Sequence, residues 1–234
     1  MHPDQQQGDA GVAKRANGDG EAKRRSRRHG RGDARGAFYA FEGPDGAGKS
    51  TIVRLVAAEL RDRPVSLCSL PGREPKSLGA HVYQLHHKPE TFDVGQMSPA
   101  AKQLLHVAAH ADFVETLLRP RIAAGETVLL DRYWWSMWVY GAADGMNPAM
   151  LDALVACERA AWGSLTPAAL FVVTRKDSLR AEDAGAPWRR RQKLYVDIAK
   201  GEIGSHPVHF VSNDGPVVEA VSQIVRLIEG VERD

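Results

Sequence analysis

The chain is poor in cysteine and contains no long apolar run. Among its 234 residues only Cys68 and Cys157 are cysteines, and their spacing matches no metal-binding or redox motif. Isolated thiols of this kind are expected to stay reduced, as they do in a cytoplasm. No apolar run approaches the ~20 residues of a membrane-spanning helix, and residues 1–36 carry no apolar segment typical of a signal peptide. We therefore expect a cytoplasmic protein without membrane contacts.

Excess positive charge is scarce outside residues 1–36. Those residues hold nine Lys or Arg against five Asp or Glu, whereas the remainder holds 22 basic and 24 acidic residues. Few apolar side chains occur in residues 1–36, so we expect a disordered basic tail. Its basic run at 23–28 could contact nucleic acid, but the acids around it favour a solvated arm. Residues 37–234 are expected to form one domain that is not of the basic, nucleic-acid-binding type.

One stretch has the pattern of a phosphate-binding loop. The motif G-x-x-x-x-G-K-[ST] runs from Gly43 to Ser50, between an apolar strand pattern at 37–41 and a helical pattern at 52–60. Glycines in such a loop let backbone N–H groups face phosphate oxygens, and the following helix adds its positive N-terminal end. The sequence therefore predicts binding of a nucleoside triphosphate. The expected phosphate contacts are Gly43, Pro44, Asp45, Gly46, Ala47, Gly48, Lys49, Ser50 and Thr51.

Charged and hydroxyl side chains near this loop predict phosphoryl-transfer chemistry with ATP and Mg²⁺. Lys49 is expected to reach the β- and γ-phosphates, and the Ser50 hydroxyl to ligate Mg²⁺. Asp131 follows a buried apolar run and is the second expected Mg²⁺ ligand; the alternative is a helix N-cap. Arg132 can bind a second phosphate bidentately, or form a structural ion pair.

Strand and helix patterns alternate along the chain. This order predicts an α/β fold with three layers, in which a parallel sheet of about five strands carries helices on both faces. Ligands of such sheets bind at the carboxyl ends of the strands, where the loop and Asp131 should meet. Further strands are predicted at 64–68, 127–130, 168–173 and 208–211, and further helices at 77–88, 98–124, 148–161, 189–200 and 217–228.

Two of these helices have strong start signals, namely Ser98-Pro99 and Asn147-Pro148. The 98–124 helix is expected to bury one apolar stripe, with His106 and His110 on a different face. The stripe comprises Leu104, Val107, Ala111, Val114 and Leu118.

Several motifs together resemble those of thymidylate kinases. They are the stretch from Glu42 to Thr51, Arg73-Glu74-Pro75, Leu118-Arg119-Pro120, and Asp131-Arg132-Tyr133 followed by Ser136. The resemblance covers roughly residues 37–230 and implies a P-loop NTPase fold with a short lid. It implies phosphoryl transfer from MgATP to a nucleoside monophosphate, as in dTMP + ATP to dTDP + ADP. It also leaves a homodimer open.

The resemblance assigns roles on the acceptor side. Asp45 matches the family's loop acid near the acceptor, and Arg132 matches the arginine that holds the acceptor phosphate. Arg73 matches a second arginine near that phosphate. Tyr140 matches the aromatic residue beneath the sugar, which disfavours a 2′-hydroxyl, and Ser136 is the serine of the motif.

Three positions depart from the family pattern. His106 and His110 stand where the family has a Phe that stacks on thymine and an Arg that bonds to it. Met137 stands where the family has a polar contact to the base. The two histidines also allow a metal site, but no acid or cysteine accompanies them. We expect an altered base pocket with the phosphate-handling residues kept.

A mobile arginine usually completes the neutralisation of the transferred phosphoryl group. In this family it comes from the loop, directly after the acid, or from a lid. Gly46 follows the acid here, so the loop cannot supply this arginine, whereas residues 175–191 can. We predict that Arg189 or Arg190 closes over the phosphates, with Arg180 as the next candidate. The alternative is an exposed basic helix start.

Two other functions stay open at the level of sequence. One is a deoxynucleoside kinase that phosphorylates a free 5′-hydroxyl, with Glu74 as a general base. The other is a non-catalytic nucleotide-binding module that uses its basic tail for nucleic acid. A GTPase is disfavoured because the chain has no N-K-x-D motif.

Overall fold

A parallel sheet forms the centre of the part of the chain that the structure describes. The structure is a computed structural model, and it describes residues 36–232; the predicted disordered tail lies outside this range. Five strands pair in the order β2-β3-β1-β4-β5, and every pairing between neighbours is parallel. The predicted α/β architecture is confirmed. The strands are β1 (Ala37–Glu42), β2 (Val65–Ser69), β3 (Thr127–Asp131), β4 (Ala169–Thr174) and β5 (Val208–Ser212).

Helices connect the strands, and two of them begin at the predicted start signals. Ser98 Oγ accepts a hydrogen bond from the Ala101 N–H at 3.2 Å, and Asn147 Oδ1 accepts one from the Ala149 N–H at 2.9 Å. Each cap satisfies a first-turn donor that has no partner within the helix. The helices are α1 (Lys49–Glu59), α2 (Leu78–His87), α3 (Pro99–Phe113), α4 (Arg119–Ala123), α5 (Trp135–Ala143), α6 (Pro148–Trp162), α7 (Ala186–Glu202) and α8 (Val217–Val231).

Apolar side chains fill both faces of the sheet because neighbouring strand residues point in opposite directions. On one face, Tyr39 and Phe41 pack with Ile52 of α1 and Ile224 of α8. On the other face, side chains of β1, β3 and β4 pack with residues of α5, α6 and α7. Trp134 and Trp135 are buried in that second core, so they serve packing. Helices therefore lie on both faces, as predicted.

The apolar stripe predicted for the 98–124 helix is wrong at its first residue, Leu104. Leu104 is 48% exposed, whereas Gln103, His110 and Phe113 are buried. The cause is a π-helical segment at Val114–Leu118 between α3 and α4. Such a segment inserts one extra residue, which rotates the buried face by about 100° relative to a regular helix. The side of α3 that carries the histidines therefore faces inward.

Helix α5 is not indicated by the periodicity of the sequence. Its segment WSMWVYGAA is apolar on nearly all sides, so no amphipathic pattern marks it. This helix begins shortly after Asp131 and Arg132, and it carries Ser136, Met137 and Tyr140 at the carboxyl end of the sheet.

Candidate active site

The phosphate-binding loop joins β1 to α1 with a tightly turned backbone. Gly43, Gly46 and Gly48 have φ angles of 138°, 79° and 93°, which side chains other than glycine rarely adopt. A Cβ on Gly46 would lie 2.0 Å from Ser178 Oγ, so this position also requires a glycine for close approach. Helix α1 begins after Gly48 without a side-chain cap, and an uncapped helix N-terminus of this kind suits the binding of an anion.

Lys49 folds beneath this loop. Its side chain is only 5% exposed, and Nζ donates a hydrogen bond to the Pro44 carbonyl at 2.9 Å. Burial, and then the charge of Arg132, lower the pKa of Lys49 to about 8, although the carboxylates of Asp131 and Asp45 oppose this shift. The ammonium group is therefore short of negative charge, which phosphate oxygens would supply.

Ser50 and Asp131 come together, as their expected role as metal ligands requires. Ser50 Oγ donates a hydrogen bond to Asp131 Oδ2 at 2.5 Å, which places two oxygen ligands side by side next to the loop. Hard cations such as Mg²⁺ take oxygen ligands and complete their shell with substrate phosphates and water. The donor set therefore fits Mg²⁺. The N-cap alternative for Asp131 is not seen, since α5 begins after Trp134 without a side-chain cap.

Arg132 lies at the centre of a hydrogen-bonded group between the loop and α5. Its Nη2 donates to Asp45 Oδ1 at 2.5 Å, and its Nη1 donates to Ser136 Oγ at 2.9 Å. Tyr140 donates its hydroxyl proton to Asp45 Oδ2 at 2.6 Å. The backbone of Arg132 has φ 78°, a conformation that costs about 1–3 kcal/mol for a non-glycine residue. Its surroundings therefore hold this guanidinium in place against backbone strain.

The pKa of Asp45 reflects this arrangement. Burial raises the pKa, but the charges of Arg132 and Lys49 and the hydrogen bond from Tyr140 outweigh it and hold the pKa well below its usual value. Asp45 is therefore ionised at neutral pH and keeps Arg132 in position.

Glu42 has a structural role that the sequence analysis did not assign. It is fully buried, and its carboxylate accepts hydrogen bonds from the N–H groups of Tyr133 and Ser136 at 2.8 and 2.9 Å. The Ser136 hydroxyl donates a third at 2.7 Å, and Tyr195 lies 2.8 Å from the same hydroxyl. These bonds fix the turn that carries Arg132. An acid at the end of an otherwise apolar strand was the only signal of this role.

A cavity of about 390 Å³ opens beside Arg132. It is lined at one end by residues of the loop and of β3, and at the other by α3 and α2. All of the residues predicted to contact the acceptor line it, namely Arg73, His106, His110, Arg132, Ser136, Met137 and Tyr140. Lining residues that the sequence analysis missed include Tyr83, His86, Lys102, Gln103 and Asp144.

Arg73 reaches the cavity from the connection after β2. Its guanidinium carbon lies 5.1 Å from the centre of the Tyr83 ring, a cation–π contact that orients it. Glu74 does not line this cavity; its carboxylate instead accepts a hydrogen bond from the Arg73 N–H at 3.0 Å.

Histidines form the wall of the cavity opposite Arg132. His106 Nε2 lies 2.8 Å from His86 Nδ1, and His110 Nδ1 lies 2.6 Å from Glu158 Oε1. Burial, followed by the nearby His110 and His86, holds the pKa of His106 far below its usual value, so its ring is neutral. Within residues 36–232, no group of three or more His, Cys, Asp or Glu side chains is arranged to hold a metal ion.

Comparison with known proteins places this site in a family. Residues 41–186, more than half of the chain, match the family model described as thymidylate kinase. The chain belongs to the thymidylate kinase family. As a member of the thymidylate kinase family, it is a nucleotide kinase that transfers a phosphoryl group from ATP.

Curated thymidylate kinases resemble the chain over most of its length. The protein of Chlorobium chlorochromatii is 37% identical over 165 residues, which are 69% of this chain and 68% of that protein. The protein of Deinococcus radiodurans is 34% identical over 185 residues, which are 72% of this chain and 85% of that protein. A solved thymidylate kinase from Ehrlichia chaffeensis gives a TM-score of 0.65 at 20% identity, over 82% of this chain and 98% of that one. At that identity the last comparison supports the fold alone.

The segment predicted to act as a lid, residues 175–191, comprises the connection between β4 and α7 and the first turns of α7. It is attached to the phosphate-binding loop at two points. The Leu179 N–H donates to the Gly46 carbonyl at 2.9 Å, and Trp188 Nε1 donates to the Asp45 carbonyl at 2.6 Å. Trp188 is 1% exposed, and the sequence analysis gave it no role.

The predicted lid arginines do not all lie near the site. Arg189 lies 3.6 Å from Asp177 at the surface, and Arg190 donates to the Ala142 carbonyl at 3.2 Å; neither lines the cavity. Arg180, the next candidate, does line it, and its charge helps to lower the pKa of Asp45. The geometry therefore favours Arg180, while the role of any lid arginine at the phosphates stays a prediction.

Among the helices of residues 36–232, none combines the length and apolarity that a membrane crossing requires.

Proposed function

We propose that the chain transfers the γ-phosphoryl group of ATP to the 5′-phosphate of dTMP, giving dTDP and ADP. The observation that carries this proposal is the position of Arg132. Its guanidinium lines the acceptor cavity, while Lys49 of the phosphate-binding loop lines the same cavity on the donor side. A bidentate cation is suited to binding a phosphate group at a fixed orientation. The family relationship supports the same reaction.

Each charged group has a separate part in the proposed transfer. Arg132 and Arg73 bind the acceptor phosphate, one oxygen of which attacks the γ-phosphorus while the bond to the β–γ bridging oxygen breaks. Lys49 neutralises the charge that develops on the transferred group and on the leaving ADP. Ser50 and Asp131 would hold Mg²⁺, which would supply further charge neutralisation on the polyphosphate.

The acceptor is proposed to be a monophosphate because Glu74, the base considered for a sugar hydroxyl, does not line the cavity. A free 5′-hydroxyl must lose its proton to a nearby base during transfer. The Glu74 carboxylate is bonded to the Arg73 N–H, and Asp45 is engaged by Arg132 and Tyr140. A phosphate oxygen is already ionised and needs no base.

Residues around the sugar support a preference for deoxynucleotides. Tyr140 lines the cavity, its hydroxyl is bound to Asp45, and the guanidinium carbons of Arg132 and Arg191 lie 5.3 and 4.9 Å from its ring centre. The ring is thus fixed and cannot move to make room for a 2′-hydroxyl. dUMP should therefore be phosphorylated more efficiently than UMP.

The test is an ADP-release assay of the full chain with nucleoside monophosphates and free nucleosides as acceptors. Lys49→Ala serves as the control, because it should keep the far-ultraviolet circular dichroism of the parent and lose turnover about 10²–10³-fold. Phosphorylation of dTMP supports the proposal. Turnover of thymidine in place of dTMP would identify a nucleoside kinase, and turnover of no acceptor would identify a binding module.

The proposal extends to a cytoplasmic location. Cys68 and Cys157 are both free, which agrees with a reducing, cytoplasmic location. The homodimer stays a prediction, and sedimentation velocity of the full chain tests it.

A further inference from the structure

Gln103 is a buried amide without a hydrogen-bond partner. It lies in α3, three residues before His106, and only 3% of it is exposed. Its Oε1 atom is buried and accepts no hydrogen bond, although the residue lines the acceptor cavity. Buried polar atoms are nearly always paired, so an unpaired amide at a cavity wall indicates a missing partner.

The position of Gln103 is fixed by close packing against α5. A Cβ on Gly141 would lie 3.5 Å from Gln103 Cγ, and 2.8 Å from Leu151 Cδ2. Gly141 therefore leaves room for the aliphatic part of the glutamine, and Met137, which is 2% exposed, lines the cavity on the same helix. Packing therefore holds the aliphatic part of Gln103 against α5.

Gln103 also lies on the face of α3 that carries His106 and His110. Residues 103, 106 and 110 follow each other at helical spacing and all line the cavity. The histidines already have partners, since His106 contacts His86 and His110 contacts Glu158. On the α3 side of this wall, the buried oxygen of the Gln103 carboxamide is therefore the atom that lacks a partner; on α2, Nε2 of His86 also lacks one.

We propose that Gln103 binds the hydrogen-bonding edge of the pyrimidine base of the acceptor. A carboxamide presents one acceptor and one donor side by side, and such pairs recognise base edges bidentately. In thymine the N3–H group would donate to Oε1, and the O4 carbonyl would accept from Nε2. The inference rests on the proposed function, because it takes the base of the acceptor to occupy this end of the cavity.

The carboxamide of Gln103 fits cytosine equally well after a half-turn about the last side-chain bond, because this turn exchanges the positions of its oxygen and nitrogen atoms. Gln103 therefore requires a base with a hydrogen-bonding edge, and does not by itself choose between thymine and cytosine. A base of the same shape without strong hydrogen-bonding groups should be rejected.

The experiment measures binding by isothermal titration calorimetry in the full chain. The ligands are dTMP and the 5′-monophosphate of difluorotoluene deoxynucleoside, which has the shape of thymidine but lacks its hydrogen-bonding edge. The parent should bind dTMP about ten- to a hundred-fold more tightly, as expected for one bidentate pair. In Gln103→Met, which keeps the length of the side chain, this ratio should fall to about one, with ATP affinity unchanged.

The melting temperature of Gln103→Met distinguishes a role in base binding from a role in packing. Gln103→Met removes an unpaired buried oxygen, so its melting temperature should equal or exceed that of the parent. Gln84→Met, on the exposed side of α2 and outside the cavity, is the matched control and should keep the parent's ligand ratio.

Each outcome decides the matter. An unchanged ratio in Gln103→Met, in a chain that phosphorylates dTMP, would overturn the inference and leave the proposed function standing. Equal weakening of both ligands together with a lower melting temperature would show a packing role, and would also overturn it. A parent chain that neither binds nor phosphorylates dTMP would refute the proposed function, and this inference with it.

Discussion

Binding of MgATP should take up a proton at Lys49 near pH 8. In the free protein, burial and the charge of Arg132 lower the pKa of this lysine from its usual value to about 8. A polyphosphate beside Nζ brings negative charge, which favours the ammonium form and raises the pKa again. The lysine must therefore become fully protonated when the loop is filled.

The size of the effect follows from the pKa. A group with a pKa of 8 is half protonated at pH 8, and about nine-tenths protonated at pH 7. Filling the loop should therefore take up about 0.5 proton per site at pH 8, about 0.1 at pH 7 and about 0.9 at pH 9. Since the pKa in the unfolded chain is higher, the unfolded chain binds more protons between pH 8 and 10.5. The contribution of Lys49 to folding stability should accordingly rise with pH across that window.

Calorimetric titration with MgATP, without an acceptor, measures this uptake. The apparent enthalpy is recorded in several buffers of different ionisation enthalpy, and the slope gives the number of protons. Lys49→Met is the control, because it keeps the aliphatic stem and cannot titrate. If the parent and Lys49→Met give the same slope, or if the parent's slope does not grow from pH 7 to pH 9, then Lys49 is fully charged in the free protein and the reasoning is wrong.

Three further predictions concern the acceptor, the lid and the tail. Arg132→Ala should raise the Kd for dTMP far more than the Kd for ATP. Arg132→Lys should restore dTMP binding only in part, because the bidentate guanidinium is lost. Equal effects of Arg132→Ala on the two Kd values would contradict the role of Arg132 in acceptor binding. Arg180→Ala should lower kcat about 10-fold or more with little change in ATP affinity, as expected for an interaction made mainly in the transition state. The matched variant Arg190→Ala should turn over at the parent rate. A parent-like kcat in Arg180→Ala would remove this arginine from the mechanism. Deleting residues 1–35 should leave the melting temperature and turnover nearly unchanged, and a large loss of either would show that the tail is docked.

Strands β1, β3 and β4 could be predicted because each is a short run of mostly buried residues in the middle of the parallel sheet. Both faces of such strands are covered, so the runs are apolar without alternation and stand out in the sequence. The same full burial hides α5, whose residues are apolar on nearly every side. The stripe on α3 failed for a different reason, since the π-helical segment at Val114–Leu118 breaks the regular period.

The residues of the site likewise divide into those that local sequence motifs mark and those that they do not. Residues whose spacing is local, such as Lys49, Ser50 and Arg132, are marked by short motifs, and the structure brings them together. Glu42 is recognised by its hydrogen bonds to residues from a distant part of the chain, and Gln103 by its lack of a hydrogen-bond partner. No local pattern encodes those relationships, so only the folded arrangement reveals them.

The orientation of α7 explains why composition alone pointed to Arg189 and Arg190 as the lid arginines. The run 189–191 attracts attention because three arginines are adjacent, but α7 is oriented by its buried side chains. Trp188, Tyr195 and Ala199 are 1%, 0% and 0% exposed and lie at helical spacing on the inner face. That face fixes Arg189 and Arg190 on the outer side of the helix, where they meet Asp177 and a backbone carbonyl. The loop before the helix is free of this constraint and is bonded to Gly46 through Leu179. An arginine that must reach the phosphates is therefore best placed in that loop, next to its point of attachment, and Arg180 is the residue found there.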